Sequence, residues 1–114
     1  MTLNNSTLES LIEILEIEDT KELVAIYFDT ASEILHNINL GIEENDAEKI
    51  RFWGHRIKGA SGTLGLDDLE NAGKLLELYG GKGDIKSSIP IINSLNDLLK
   101  SAQAAIKKDF PELL

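Results

Sequence analysis

Leu23, Tyr27, Thr30, Ala31, Ile34, Ile38 and Ile42 recur at helical spacing and hold one apolar stripe for about six turns, a pattern that only a long amphipathic helix satisfies. A helix of that length needs companions of similar length to cover its stripe. Ser6 and Glu9 form a capping-box signal ahead of Leu8, Leu11, Ile12 and Leu15, which predicts a short helix over about 7–16. Asp19 with Glu22 then opens the long helix, over about 20–44. Asn45 with Glu48 opens the next, over about 46–64, with Ile50, Gly54, Ile57, Ser61 and Leu64 inward. Asp67 with Glu70 starts another, over about 67–80, carrying Leu69, Ala72, Gly73 and Leu76 and stopping at Gly80-Gly81; residues 81–84 read as a turn. Ile92, Leu95, Leu99, Ala102 and Ile106 mark the last helix, over about 87–109. Pro90 is best tolerated in a first turn, which favours a start near Ser87; a start at Asp84 with a kink is the alternative.

No segment alternates with period two over strand length, and no internal repeat appears, so the fold class is all-α. Short connections between consecutive long helices force antiparallel neighbours. The expected architecture is an up-down-up-down four-helix bundle with the short N-terminal helix at one end. At 114 residues the chain reads as a single domain with one core, 1–114.

Composition removes several functions. Without cysteine there is no disulfide or thiolate metal site, and a reducing cytoplasm is the natural setting. A net charge of −9 opposes binding to a phosphate backbone, so nucleic acid is not an expected partner. No leader pattern and no apolar run of membrane-spanning length occurs, so no membrane association is expected.

The segment "GHRIKGASGTLG", residues 54 to 65, sets four glycines around one histidine inside a predicted helix. Each interior glycine costs about 1 kcal/mol against alanine, so their presence needs a reason. With about 100° of rotation per residue, Ile50, Gly54, Ile57, Ser61 and Leu64 define the core direction; His55 lies about 140° from it and faces solvent. Gly54 falls on the packing side. Gly59 and Gly62 fall on the side of His55, one and two turns beyond it, where longer residues would cover the ring. Gly65 reads as the helix stop. Lys49, Arg51, Arg56 and Lys58 cluster in "KIRFWGHRIK" without an acid, which suggests a local positive site in an acidic chain. Lys58, one turn from His55, is the best-placed cation to neutralise a phosphoryl group on the ring. By the same rotation Phe52 faces out and Trp53 is half-buried, so Phe52 suggests a docking surface. His36 lies outward on the long helix with neither glycines nor basic neighbours and carries no site.

"GHRIKGASGTLGLDDLENAGKLLE" resembles the signature of histidine-containing phosphotransfer (HPt) domains, through Gly54, His55, Ile57, Lys58, Gly59, Ser61, Gly62, Leu64, Gly65, Leu69, Leu76 and Glu77. It looks most like the C-terminal HPt modules of hybrid sensor histidine kinases. The resemblance implies a phosphorelay carrier in two-component signalling: His55 accepts a phosphoryl group from a receiver-domain aspartate through Nε2 and passes it to another receiver. It further implies Lys58 as phosphate-neutralising neighbour and Gly59 and Gly62 as clearance. Phe52, Arg51 and Arg56, beside His55 in the same segment, are expected to serve access and docking. No cofactor is implied here, since Mg²⁺ belongs to the receiver. The expected partners are response-regulator receiver domains, with a hybrid sensor kinase as a further one, and the expected state is a monomer. A kinase in its own right would need a nucleotide-binding domain that 114 helical residues leave no room for. The alternative reading is an HPt-like module that docks receivers without being phosphorylated.

Overall fold

The computed structural model describes residues 3–114. Four helices, α1 (Asn5–Glu43), α2 (Ala47–Thr63), α3 (Asp67–Gly81) and α4 (Ile85–Asp109), make an antiparallel bundle, followed by a 3₁₀ turn at Pro111–Leu113. No strand element occurs among the described residues, only an isolated bridge between Leu3 and Leu66. The core draws on all four helices: Val24, Ile34 and Ile38 of α1, Ile50 and Ile57 of α2, Leu69 and Leu76 of α3, and Leu95 and Ile106 of α4 are fully or almost fully buried.

The three connections repeat one device. After α1, Asp46 N–H donates to the Gly41 carbonyl (2.8 Å) and Asn45 N–H to that of Ile42 (3.1 Å). Leu66 and Gly65 do the same to Ser61 (3.0 Å) and Gly62 (3.1 Å), and Asp84 and Gly83 to Tyr79 (2.9 Å) and Gly80 (3.1 Å). Each pair is a Schellman motif, in which the middle residue of a three-residue connector takes a left-handed conformation: Asn45 (φ 54°), Gly65 (φ 72°) and Gly83 (φ 71°). The third residue of each connector is also the N-cap of the next helix. Helix end and helix start thus share one residue, which leaves no slack for anything but antiparallel neighbours.

Several boundaries differ from the sequence expectation. α1 is two helical segments joined at Glu16, whose φ 66° and ψ 169° are not helical, so the break falls where the short helix is expected to end, and the long segment follows it directly rather than starting at about 20. Ser6 does not cap it: its hydroxyl donates to Asn4 Oδ1 (2.6 Å) from within the first turn. Asp19 likewise opens nothing, because Thr20 is buried with its hydroxyl donating to the Glu16 carbonyl (2.7 Å). Asp46, not Asn45, caps α2, accepting from Lys49 N–H (3.1 Å). α3 runs through Gly80-Gly81, and the turn glycine is Gly83. α4 starts at Ile85 under an Asp84 cap that accepts from Ser87 N–H (3.1 Å), so Pro90 sits beyond the first turn. Pro90 and Lys86 are both exposed residues, so the donor that proline removes is lost on the outer side of α4 rather than in the core.

Between α1 and α2, the Tyr27 hydroxyl and Ser61 hydroxyl are hydrogen-bonded at 2.8 Å inside the core. Burial pushes the Tyr27 phenol up to about 12 from its usual 10.0, against the opposing effect of the Ser61 bond. The unfolded chain therefore loses this proton first as pH rises, and stability falls between about pH 10 and 12, by on the order of 2–3 kcal/mol. Tyr27→Phe should cost about 1–3 kcal/mol at neutral pH, because Ser61 loses its buried partner, and should flatten that alkaline decline. Urea unfolding of both proteins at pH 8, 10 and 11.5 checks this; parallel declines would contradict it.

Candidate functional site

Three glycines bring α3 against α2 backbone to backbone. A Cβ on Gly54 would lie 2.8 Å from Leu76 Cβ and 2.9 Å from Glu77 N. One on Gly73 would lie 2.6 Å from Lys58 N and 2.8 Å from the Gly54 carbonyl oxygen, and one on Gly80 would lie 2.5 Å from Arg51 N. Real Cβ atoms do not approach backbone that closely, so these positions require glycine if the seam is to close. Gly80 is therefore a packing residue, which is why the helix does not end there.

Glu77 lies four residues after Gly73 and three before Gly80, on the edge of this seam, and it reaches across to α2. Its Oε2 is 2.5 Å from His55 Nδ1, and its Oε1 accepts from Lys58 Nζ at 2.6 Å. The His55 side chain is 59% exposed, those of Lys58 and Glu77 31% and 26%. The Lys58 hydrogen bond holds the Glu77 carboxyl below the usual carboxylate range; partial desolvation opposes this and the His55 bond adds to it. An ionised carboxylate only accepts, so the proton sits on Nδ1, and in the neutral ring the lone pair is on the other nitrogen, Nε2. Because its folded pKa is depressed, Glu77 contributes its stabilisation at neutral pH and loses it only as pH falls through and below the ordinary carboxylate range.

The basic cluster is not the open positive site that its sequence suggests. Lys49 pairs with Glu44 at 2.8 Å, Arg51 with Glu48 through Nε and Nη2, and Lys58 with Glu77. All three acids lie outside the segment: Glu44 on the α1–α2 connector, Glu48 one residue before it, and Glu77 on α3. Arg56 instead lies over aromatic rings, its guanidinium carbon 5.6 Å from the Trp53 ring centre and 6.0 Å from that of Phe52.

Gly59 and Gly62 are not equivalent. A Cβ on Gly59 would meet nothing within 4 Å. On Gly62 it would run into the Glu70 carboxylate, so this glycine opens toward α3 rather than toward solvent alone. Phe52 is 45% exposed and Trp53 is partly buried against the core, the two rings meeting edge to face at 5.0 Å. Beside Gly59, at Ala60 and Thr63, an apolar groove of about 220 Å³ opens between α2 and α1, with Leu23, Ile26 and Thr30 on the far wall.

Sequence reasoning gave Glu77 no role beyond its place in the motif. The signal was present: Gly54 faces inward on α2, and Gly73 and Gly80 recur at seven-residue spacing on α3, so a residue between the last two must flank the contact.

An antiparallel bundle that presents an exposed imidazole, with one ring nitrogen engaged by a carboxylate and an ammonium one turn away, defines a class of histidine-bearing helical modules. The profile of the Hpt domain matches residues 22–105, and the chain belongs to that family. Among curated proteins it is similar to Multistep phosphorelay regulator 1 of Schizosaccharomyces pombe, 31% identical over 65 residues, which are 57% of this chain and 22% of that protein. It is also similar to Phosphorelay intermediate protein YPD1 of Candida albicans, 30% identical over 63 residues, 55% of this chain and 34% of that protein. The matched segment thus spans about a fifth to a third of the length of these relatives. No solved structure gives a significant match.

Proposed function

We propose that this protein is a phosphorelay carrier that accepts a phosphoryl group on His55 Nε2 from the aspartyl phosphate of one receiver domain and delivers it to the aspartate of another. The observation that carries the reading is the Glu77 contact: with Nδ1–H engaged at 2.5 Å, the exposed ring offers Nε2 to an incoming group. The Nε2 lone pair forms the N–P bond while the acyl-phosphate P–O bond breaks, and that electron pair leaves with the receiver's carboxylate. The ring becomes a phosphoimidazolium still carrying the Nδ1 proton, and the Glu77 carboxylate opposes its positive charge. Lys58, one turn along α2, neutralises the phosphoryl oxygens. Gly59 keeps the approach clear, and Phe52 with the groove beside Gly59 receives the docking receiver. Gly62 contributes clearance only as far as Glu70 allows.

In this reading the protein has no kinase activity and no cofactor of its own, Mg²⁺ being held by the receiver. It acts in the cytoplasm as a monomer, on its own or as part of a hybrid sensor kinase. Among the described residues, no helix is long and apolar enough to cross a membrane.

Incubation with an acetyl-phosphate-charged receiver, followed by peptide mapping and NMR of the labelled ring, tests the reading. The expected product carries one acid-labile, base-stable phosphoryl group on Nε2 of His55. Label on His36, or docking without label, would overturn it, the latter in favour of a module that only binds receivers.

A further inference from the structure

Of the four cations from Lys49 to Lys58, three are neutralised within the fold, by Glu44, Glu48 and Glu77. Arg51 has its Nε and Nη2 donors committed to Glu48, and Lys58 is held at 2.6 Å by the same carboxylate that orients His55. Arg56 makes no ion pair among the described residues; it is exposed and braced by Trp53 and Phe52. Trp53 is packed against the core, and Phe52 stands on it edge to face, so the brace is anchored in the bundle rather than free on the surface.

We propose that Arg56 selects partners: it takes a carboxylate on the rim of the receiver's phosphoacceptor face and so decides which receivers exchange phosphate with this protein. The proposal rests on the carrier reading and deepens it. Arg56 and His55 are both exposed and adjacent on α2, about 100° apart around the helix, so a partner broad enough to cover the imidazole and Phe52 also meets Arg56. A chain of net charge −9 repels acidic partners at long range, and an uncompensated cation beside the acceptor supplies a local attraction against that background. A guanidinium offers a carboxylate a planar fork of donors, and contact with aromatic rings limits the rotamer freedom lost when that fork is used. The same charge disfavours receivers whose rim is basic, which is how one residue separates partners of otherwise similar shape.

The test uses the full chain and a panel of purified receiver domains charged with acetyl phosphate, comparing wild type, Arg56→Lys and Arg56→Glu. For the receivers that lead with wild type, Arg56→Glu should raise KM by roughly tenfold or more while kcat moves less, with Arg56→Lys in between. The order of preference across the panel should change, and added salt should narrow the difference. Reversing one rim carboxylate of the leading receiver to arginine should restore exchange with Arg56→Glu. Unchanged preference, or a uniform loss across the panel that no such reversal rescues, would overturn the proposal. Direct labelling of the wild-type protein by phosphoramidate, with no receiver present, separates the two failures: absence of phosphohistidine there overturns the carrier reading and the Arg56 role with it, whereas phosphohistidine there together with an unchanged receiver preference overturns the Arg56 role alone.

Discussion

Gly73→Ala is expected to destabilise the protein by about 2–3 kcal/mol, although alanine is the better helix former by about 1 kcal/mol. The added methyl would lie 2.6 Å from Lys58 N and 2.8 Å from both the Gly54 carbonyl oxygen and Ile57 Cγ2. Two of these three atoms are backbone, so relief requires α3 to move away from α2 as a unit. Gly59→Ala should do the opposite, stabilising the fold by up to about 1 kcal/mol, because nothing lies within 4 Å of its Cβ position. Function should not follow stability. Gly73→Ala carries Glu77 away from His55 and Lys58, while Gly59→Ala puts a methyl on the exposed face beside the imidazole, and a longer side chain such as glutamine slows exchange further. Both variants should therefore transfer phosphate more slowly, one as a weaker fold and the other as a stronger one. Denaturant melts and transfer rates on the same two proteins decide the matter; a Gly73→Ala protein as stable as wild type would show that the seam is looser than its geometry.

The direction of His55 was readable from α2 alone because the helix is regular and its inward residues, Ile50, Gly54, Ile57 and Ser61, are all buried. The four long helices and their antiparallel order were readable for the same reason: period and caps are local. What was not readable depends on neighbours. The basic cluster looked open because the acids that close it lie outside it: Glu44 and Glu48 just before it in the chain, and Glu77 on α3, where no spacing rule connects it to Lys58. Gly80 looked like a stop because a glycine that admits another backbone and a glycine that ends a helix have the same letter. Pro90 favoured a later start for α4 only while the exposed setting of Pro90 and Lys86 was unknown. Glu77 combines these effects, since its role exists only once Gly54 and Gly73 have closed the distance between two helices.

Glu77 cannot serve the ring and hold Lys58 without consequence for the phosphorylated state. Lys58 Nζ is 2.6 Å from Glu77 before any phosphoryl group arrives, so neutralising that group requires the ammonium to exchange one anion for another. Glu77→Gln keeps a carbonyl acceptor for the Nδ1 proton but removes the charge that competes for Lys58. It is therefore expected to retain most of the acceptor activity of His55 and to lengthen the life of the phosphohistidine, whereas Glu77→Ala loses the ring orientation and lowers activity. In the wild-type background, Lys58→Ala should cost roughly 5–30-fold in transfer or phosphohistidine lifetime, as for one partly exposed charge-assisted contact, and Lys58→Arg should recover most of it because only the charge is used. Arginine stays protonated throughout, so its success would exclude a proton-transfer role for Lys58. The decisive comparison is the double variant. If Lys58 divides its charge between Glu77 and phosphate, the penalty of Lys58→Ala should be larger in the Glu77→Gln background than in wild type, since the competitor is gone and the phosphoryl group has the whole ammonium. Equal penalties in the two backgrounds, measured as phosphohistidine half-lives at low salt, would mean that Glu77 and the phosphoryl group do not compete, and that Lys58 acts on one of them alone.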